Sequence, residues 1–228
     1  MYHEQQQKEQ YLMKTDMLLQ QEVTNELKCE PSVNSAEIGV TVKDGAVTLS
    51  GFVSSFGEKR AAERSAAKLR NVKAIADEIK VRLPASGRHE DADIAREAAN
   101  VLAWNTFVPQ NNIKVIVEDA RVTLTGTVGM WYQKWNAETA LHHIAGIRGI
   151  TNEISIKPQI VEAVVRADIE HAFERNARLD SRTIKVETKD NRVVLRGTVH
   201  SWLEREEAQF AAFSSPGVIA VENHILVE

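Results

Sequence analysis

The chain has 228 residues, of which 43% are apolar and 26% charged, with only five prolines, a composition that excludes wholesale disorder. Its formal net charge is −4, and basic and acidic side chains number 10 and 10 over residues 16–84, 6 and 7 over 91–158, and 9 and 12 over 162–228. No segment is basic, which argues against a nucleic-acid partner and against a broad electrostatic footprint. The single cysteine, Cys29, excludes an intrachain disulfide and reads as a small apolar residue at a helix end.

The first fifteen residues, from Met1-Tyr2-His3-Glu4 onward, read as a polar tail or as an extension of the first helix. They lack the apolar core of an export signal, and no later stretch approaches membrane-span length. A cytoplasmic location follows if Met1 is the natural start, and a periplasmic one if a signal has been removed.

From residue 16 the sequence repeats itself. Equivalent positions recur at offsets of 75 and then 71, giving units at 16–84, 91–158 and 162–228. Each unit opens with apolar residues four apart: Leu19, Val23, Leu27; Ile94, Ala98, Leu102; Val165, Ile169, Phe173. That spacing predicts an amphipathic helix with one buried face, and the acids at its start, Asp16, Asp91 with Asp93, and Glu162, suit the positive end of the helix dipole.

A period-two strand follows, carried by Ile38, Val40 and Val42, by Ile113, Val115 and Val117, and by Ile184, Val186 and Thr188. Asp44-Gly45 and Asp190-Asn191 are hairpin signals, so the next run pairs antiparallel with this strand. In the middle unit Ala120 stands where the turn wants Gly or Asn, a modest strain.

The second strand contains Gly51, Gly126 or Gly197, at a place where glycine ordinarily weakens pairing. Something must approach closely there, either a helix or ring packing over the missing side chain or a ligand. Five residues later comes Phe56, Trp131 or Trp202. This aromatic reads as a staple covering the glycine at the start of the second helix, or as an exposed edge. Trp135 and Tyr132 enrich that edge only in the middle unit.

Residues 57–69, 132–144 and 203–215 read as the second helix, where Ala62 and Ala66, Ala137 and Leu141, and Ala208 and Ala212 let it lie close against a sheet. On the first of these helices Arg60, Arg64 and Lys68 share a face, diluted by Glu58 and Glu63. The face reads either as a solvated surface or as an anionic-lipid contact. A third alternating strand closes each unit through Ile75 to Ile79, Ile150 to Ile154 and Val221 to Ile225.

The expected fold is therefore α+β: three tandem αββαβ two-layer domains, each a small three-stranded sheet with both helices on one face. They are expected in a rigid or semi-rigid row, joined around Pro84-Ala-Ser-Gly87 and Lys157-Pro158-Gln159. Histidines never recur at an equivalent position, and no nucleophile triad, phosphate-binding loop or repeated carboxylate pair appears, so no metal, cofactor or catalytic residue is expected.

These features together resemble the BON domain, the module of bacterial osmotically inducible (OsmY-like) and nodulation proteins. The resemblance rests on the glycine strand, the Ala-x-x-x-Ala helix and the closing runs Gly146-Ile-Arg-Gly-Ile-Thr-Asn-Glu-Ile154 and Gly217-Val-Ile-Ala-Val-Glu-Asn-His-Ile225. The first unit departs from it with Asn71 and Asp77 in place of glycine and asparagine. The resemblance implies a non-enzymatic stress-related module that binds phospholipid surfaces or other envelope components. On that view Arg60, Arg64 and Lys68 are candidate contacts for anionic phospholipid. Trp131, Trp135 and Trp202 are candidate contacts for a protein partner, in the alternative reading of an adaptor or chaperone-like protein.

Overall fold

The computed structural model describes residues 2–83, 89–109, 112–157, 169–170, 172–173, 183–189, 192–215 and 218–227, with side chains from Thr15 onward. The first unit contains α1 (Tyr2–Cys29), β1 (Ile38–Lys43), β2 (Ala46–Val53), α2 (Phe56–Ala67) and β3 (Ala74–Val81). The second contains α3 (Asp91–Trp104), β4 (Ile113–Glu118), β5 (Arg121–Val128), α4 (Trp131–Ala140) and β6 (Gly149–Ile156). In the third are β7 (Ile184–Lys189), β8 (Arg192–Val199), α5 (Trp202–Phe213) and β9 (Ala220–Val227).

Each unit folds as α+β. The glycine strand lies at the centre of its sheet, antiparallel to the strand before it and parallel to the strand after the helix, with Gly51, Gly126 and Gly197 opposite Ile79, Ile154 and Ile225. The parallel pairing requires the crossover that α2, α4 and α5 supply. In the first two units both helices pack on one sheet face and touch each other. The repeated apolar positions are buried there: Leu19, Val23 and Leu27 on α1, Ile94, Ala98 and Leu102 on α3, and the alanine pairs of the second helices. Ile169 and Phe173 fill the matching place in the third core. Val165, Glu162, the Asp190-Asn191 turn, the Pro84–Gly87 linker and residues 158 and 159 lie outside the described residues.

Several expectations change. The N-terminal fifteen residues extend the first helix, since α1 runs unbroken from Tyr2. The second helices begin one residue earlier than periodicity suggests, at the aromatic itself. Ser55 Oγ and Ser201 Oγ accept from the amides of Glu58 and Glu204 at 3.1 and 3.2 Å and cap α2 and α5, which makes Phe56 and Trp202 the first helical residues. The helices also stop sooner, because bonds spanning three residues (Leu69 N to Ala66 O, Ile144 N to Leu141 O, Ser215 N to Ala212 O) tighten the chain into a turn.

The aromatic does not cover the glycine. Gly51, Gly126 and Gly197 have φ of 125°, 134° and 138°, and a Cβ there would sit 2.0 Å from the carbonyl oxygen of Glu37, Asn112 or Thr183. Backbone, not a ring, occupies the place of the missing side chain, in a conformation that only glycine adopts freely. Asn71, the first unit's departure from the glycine at Gly146, has φ 66° against 90°, and asparagine is the side-chain-bearing residue that best tolerates this region.

The units do not form a row. Phe56 of the first unit packs edge-on against His142 of the second, with centroids 5.5 Å apart. Trp131 of the second stacks on Phe213 of the third at 4.9 Å. Ser201 of the third then pairs with Arg70 of the first, and α5 touches α2. Because His142, Phe213 and Ala67 are equivalent under the repeat, the head of each second helix meets the tail of the next, and the chain closes in a cycle.

Candidate binding surface

Asp91 and Asp93 stand in the first turn of α3 as expected, but Asp16 lies in the middle of α1, which begins at Tyr2, so the helix dipole does not account for it. Asp16 accepts the amides of Asp44 and Gly45 at 2.7 and 3.1 Å, and Asp91 those of Asp119 and Ala120 at 2.9 Å each. The hairpin residues Asp44, Gly45, Asp119 and Ala120 all have positive φ, which aims consecutive N–H groups at one carboxylate. Glu58 has a similar role at the head of α2, where it accepts from the amides of Asn34 and Ser54 and from Ser54 Oγ at 2.7–2.8 Å. Burial alone would raise its pKa, but these three donors outweigh burial and hold it below the ordinary value. Sequence reasoning took Glu58 only as a dilution of positive charge. The Ser55-x-x-Glu58 capping spacing was the signal that marked it.

The basic stripe is not brought together as a free surface. Arg60 pairs with Glu63 and turns toward the second unit, with its Nε buried and lacking a hydrogen-bond partner among the described residues. Lys68 is exposed but lies 3.8 Å from Glu26 of α1 and 4.0 Å from Glu30 just past the end of that helix. Arg64 is exposed. Acids thus pair with two of the three bases, Glu63 of α2 with Arg60 and Glu26 and Glu30 with Lys68, and the second pairing is invisible until the helices pack.

The tryptophans are divided differently. Trp131 and Trp135 stack on each other at 6.4 Å and meet Phe210 edge-on at 5.1 Å each, so the aromatic edge of the middle unit builds the seam with the third. Trp135, Phe210 and Met130 keep 40%, 36% and 37% of their surface in solvent. Trp202 is half-buried, donates from Nε1 to Glu206 at 3.2 Å and carries the Arg205 guanidinium over its ring at 4.8 Å.

The most exposed aromatic is elsewhere. Trp104 at the end of α3 is 87% exposed and Phe107, in the connection to β4, 59%. The repeat offset puts Cys29 and Ser32 at the same places in the first unit, so this aromatic pair has no repeat counterpart there. That non-equivalence was the available signal, obscured because the repeat drew attention to shared positions. Among the described residues no group of acidic, histidine or cysteine side chains is arranged to hold a metal, and no helix is long and apolar enough to cross a membrane. The open sheet faces carry shallow, solvent-open depressions, one lined by Ser50, Gly51, Phe52, Glu78 and Lys80.

The chain is 28% identical to osmotically-inducible protein Y of Escherichia coli (strain K12) over 130 residues, 55% of this chain and 65% of that protein. Two solved structures of CdsD, a structural protein of the type III secretion system of Chlamydia trachomatis, align at 15% identity, one covering 91% of this chain and 96% of its own with a TM-score of 0.27. The other covers 90% of each chain with a TM-score of 0.25. The BON domain family model matches three times, at residues 15–82, 90–158 and 162–228. The chain belongs to the BON domain family and carries three copies of its domain.

Proposed function

We propose that this protein is a non-enzymatic, osmotic-stress-associated binding protein that attaches to anionic phospholipid surfaces. The likeness to an osmotically inducible protein supports the stress setting. The observation that carries the attachment is the exposed pair Trp104 and Phe107, since aromatic rings of this kind partition to the lipid–water interface. Arg64 and Lys68 add an electrostatic contribution of about 1 kcal/mol each near a charged surface, less where Glu26 and Glu30 compete for Lys68.

Co-sedimentation with phosphatidylglycerol-rich and with zwitterionic vesicles tests the reading. Expected are binding to the anionic vesicles only, loss of binding in Trp104→Ala/Phe107→Ala, and weakening by salt and by Arg64→Glu/Lys68→Glu. Equal behaviour of the aromatic variant and wild type would sink it. A second reading, a protein-interaction adaptor, is favoured by the half-exposed Met130, Trp135 and Phe210 at the second seam, and predicts capture of a partner that Trp135→Ala abolishes and salt leaves intact.

A further inference from the structure

The first unit carries two carboxyl groups where the others carry an amide and at most one acid. In the second unit Asn152 Nδ2 donates to Lys134 O at 2.9 Å and to Glu138 Oε2 at 3.1 Å, tying β6 to α4. In the third, Asn223 Nδ2 does the same with Arg205 O and Gln209 Oε1, both at 3.1 Å. The equivalent pair in the first unit is Asp77 and Glu63. Asp77 keeps the turn bond of its counterparts, accepting from Ile79 N at 3.0 Å, but it has no N–H to offer Glu63. Its second oxygen lies 2.5 Å from Lys59 Nζ, and the Glu63 side chain, only 15% exposed, sits between Asp77 and Arg60. A proton shared between the two carboxyl groups would stand where the other units have the amide hydrogen.

This cluster borders the seam with the second unit. Arg60 pairs with Glu63 and also reaches the field of Glu138 on α4, whose Oε1 lies 4.0 Å from His142 Nε2, and His142 receives the edge of Phe56. Near the end of α1 Glu26 and Glu30 face Lys68, ahead of α5 Ser201 pairs with Arg70, and across the seam His142 and His143 flank Gly57 at the head of α2. We propose that Glu63 and Asp77 form a proton-operated latch on the seam between the first and second units. With the shared proton in place the pair closes as the asparagine pairs do. Without it the two carboxylates repel, Glu63 swings outward with Arg60, and the seam loosens.

The charge balance fits this. Burial, opposed by Arg60 and reinforced by Asp77, pushes Glu63 up to about 7. Asp77 is held below its ordinary value against burial by Lys59 and Glu63. Glu138, in the same position but facing asparagine, is instead held low by His142 and, against burial, by the Asn152 amide. Because the folded chain binds the Glu63 proton more tightly than the unfolded chain, this group's contribution to stability falls as pH rises from the ordinary glutamate value of 4.5 to about 7 and levels off above.

The test uses the full chain. A carboxyl-carbon NMR titration is expected to place the Glu63 midpoint near 7, and in Asp77→Asn to drop it into or below the ordinary glutamate range. Hydrogen exchange of α2 and α4, corrected for intrinsic rates, is expected to be faster at pH about 8 than at about 6 in wild type and equal at both in Glu63→Gln and Asp77→Asn. A Glu63 midpoint near the ordinary value overturns the proposal, as does unchanged seam protection across this range. It also falls if the pH response survives in Glu63→Gln and disappears in His142→Gln or His143→Gln.

Discussion

Replacing Trp131 with alanine removes the ring that makes two of the three aromatic contacts described between the second and third units. The indole loses its stacked contact with Phe213 at 4.9 Å and its edge contact with Phe210 at 5.1 Å, each worth about 0.5–1.5 kcal/mol beyond the area buried. A fully buried tryptophan costs about 3–5 kcal/mol on truncation, and Trp131 is half-buried, so a total loss of about 2–4 kcal/mol is expected. Calorimetry is expected to show the third unit melting earlier, and small-angle scattering a larger radius of gyration as that unit swings free. Trp131→Phe, which keeps a ring, is expected to lose less than half as much. Phe213→Ala added to Trp131→Ala is expected to cost less than the sum of the two, because they share one contact. Additive losses with an unchanged radius would refute the seam as the cause.

Glu58→Gln weakens the head of α2 by about 1–3 kcal/mol by setting an amide against three donors; and since the folded pKa of Glu58 lies below the ordinary glutamate value of 4.5, its contribution is complete above that value and fades on acidification, so the variant's denaturant midpoint should depend less on pH in the acid range. Gly126→Ala drives a methyl to 2.0 Å from Asn112 O at φ 134°, and urea titration is expected to show a loss of at least about 1–3 kcal/mol. Ala120→Gly relieves a positive-φ residue at φ 62° and is expected to stabilise the middle unit by about 0.5–1 kcal/mol in the same titration. Asp91→Ala leaves the amides of Asp119 and Ala120 without their acceptor, and faster hydrogen exchange confined to the β4–β5 turn is the expected readout.

What the sequence made legible was whatever each unit decides alone. Four-residue spacing found the buried stripes at Leu19, Ile94 and their neighbours, and alternation found the strands, because both patterns report burial against the unit's own sheet. The closing contacts were not legible. Trp131 and Phe213 reside in different units, and nothing local distinguishes a ring that staples its own helix from one that reaches the next. The repeated glycines were recognised as a close approach, yet the approaching group is a main-chain carbonyl, which has no side-chain signature. Lys68 looked free because its partners Glu26 and Glu30 are distant in sequence and meet it only after α1 and α2 pack.

The cycle of second helices has one unequal link. Rings meet at the first two joints, whereas at the third Ala67 replaces His142 and Phe213, and the closing pair Arg70 and Ser201 joins opposite ends of the chain. Bringing such distant residues together costs chain entropy that a small side chain does little to offset. During synthesis every residue of the first two units is made before Ser201. The third unit is therefore expected to dock last, and under pulling force or mild denaturant the same joint is expected to part first.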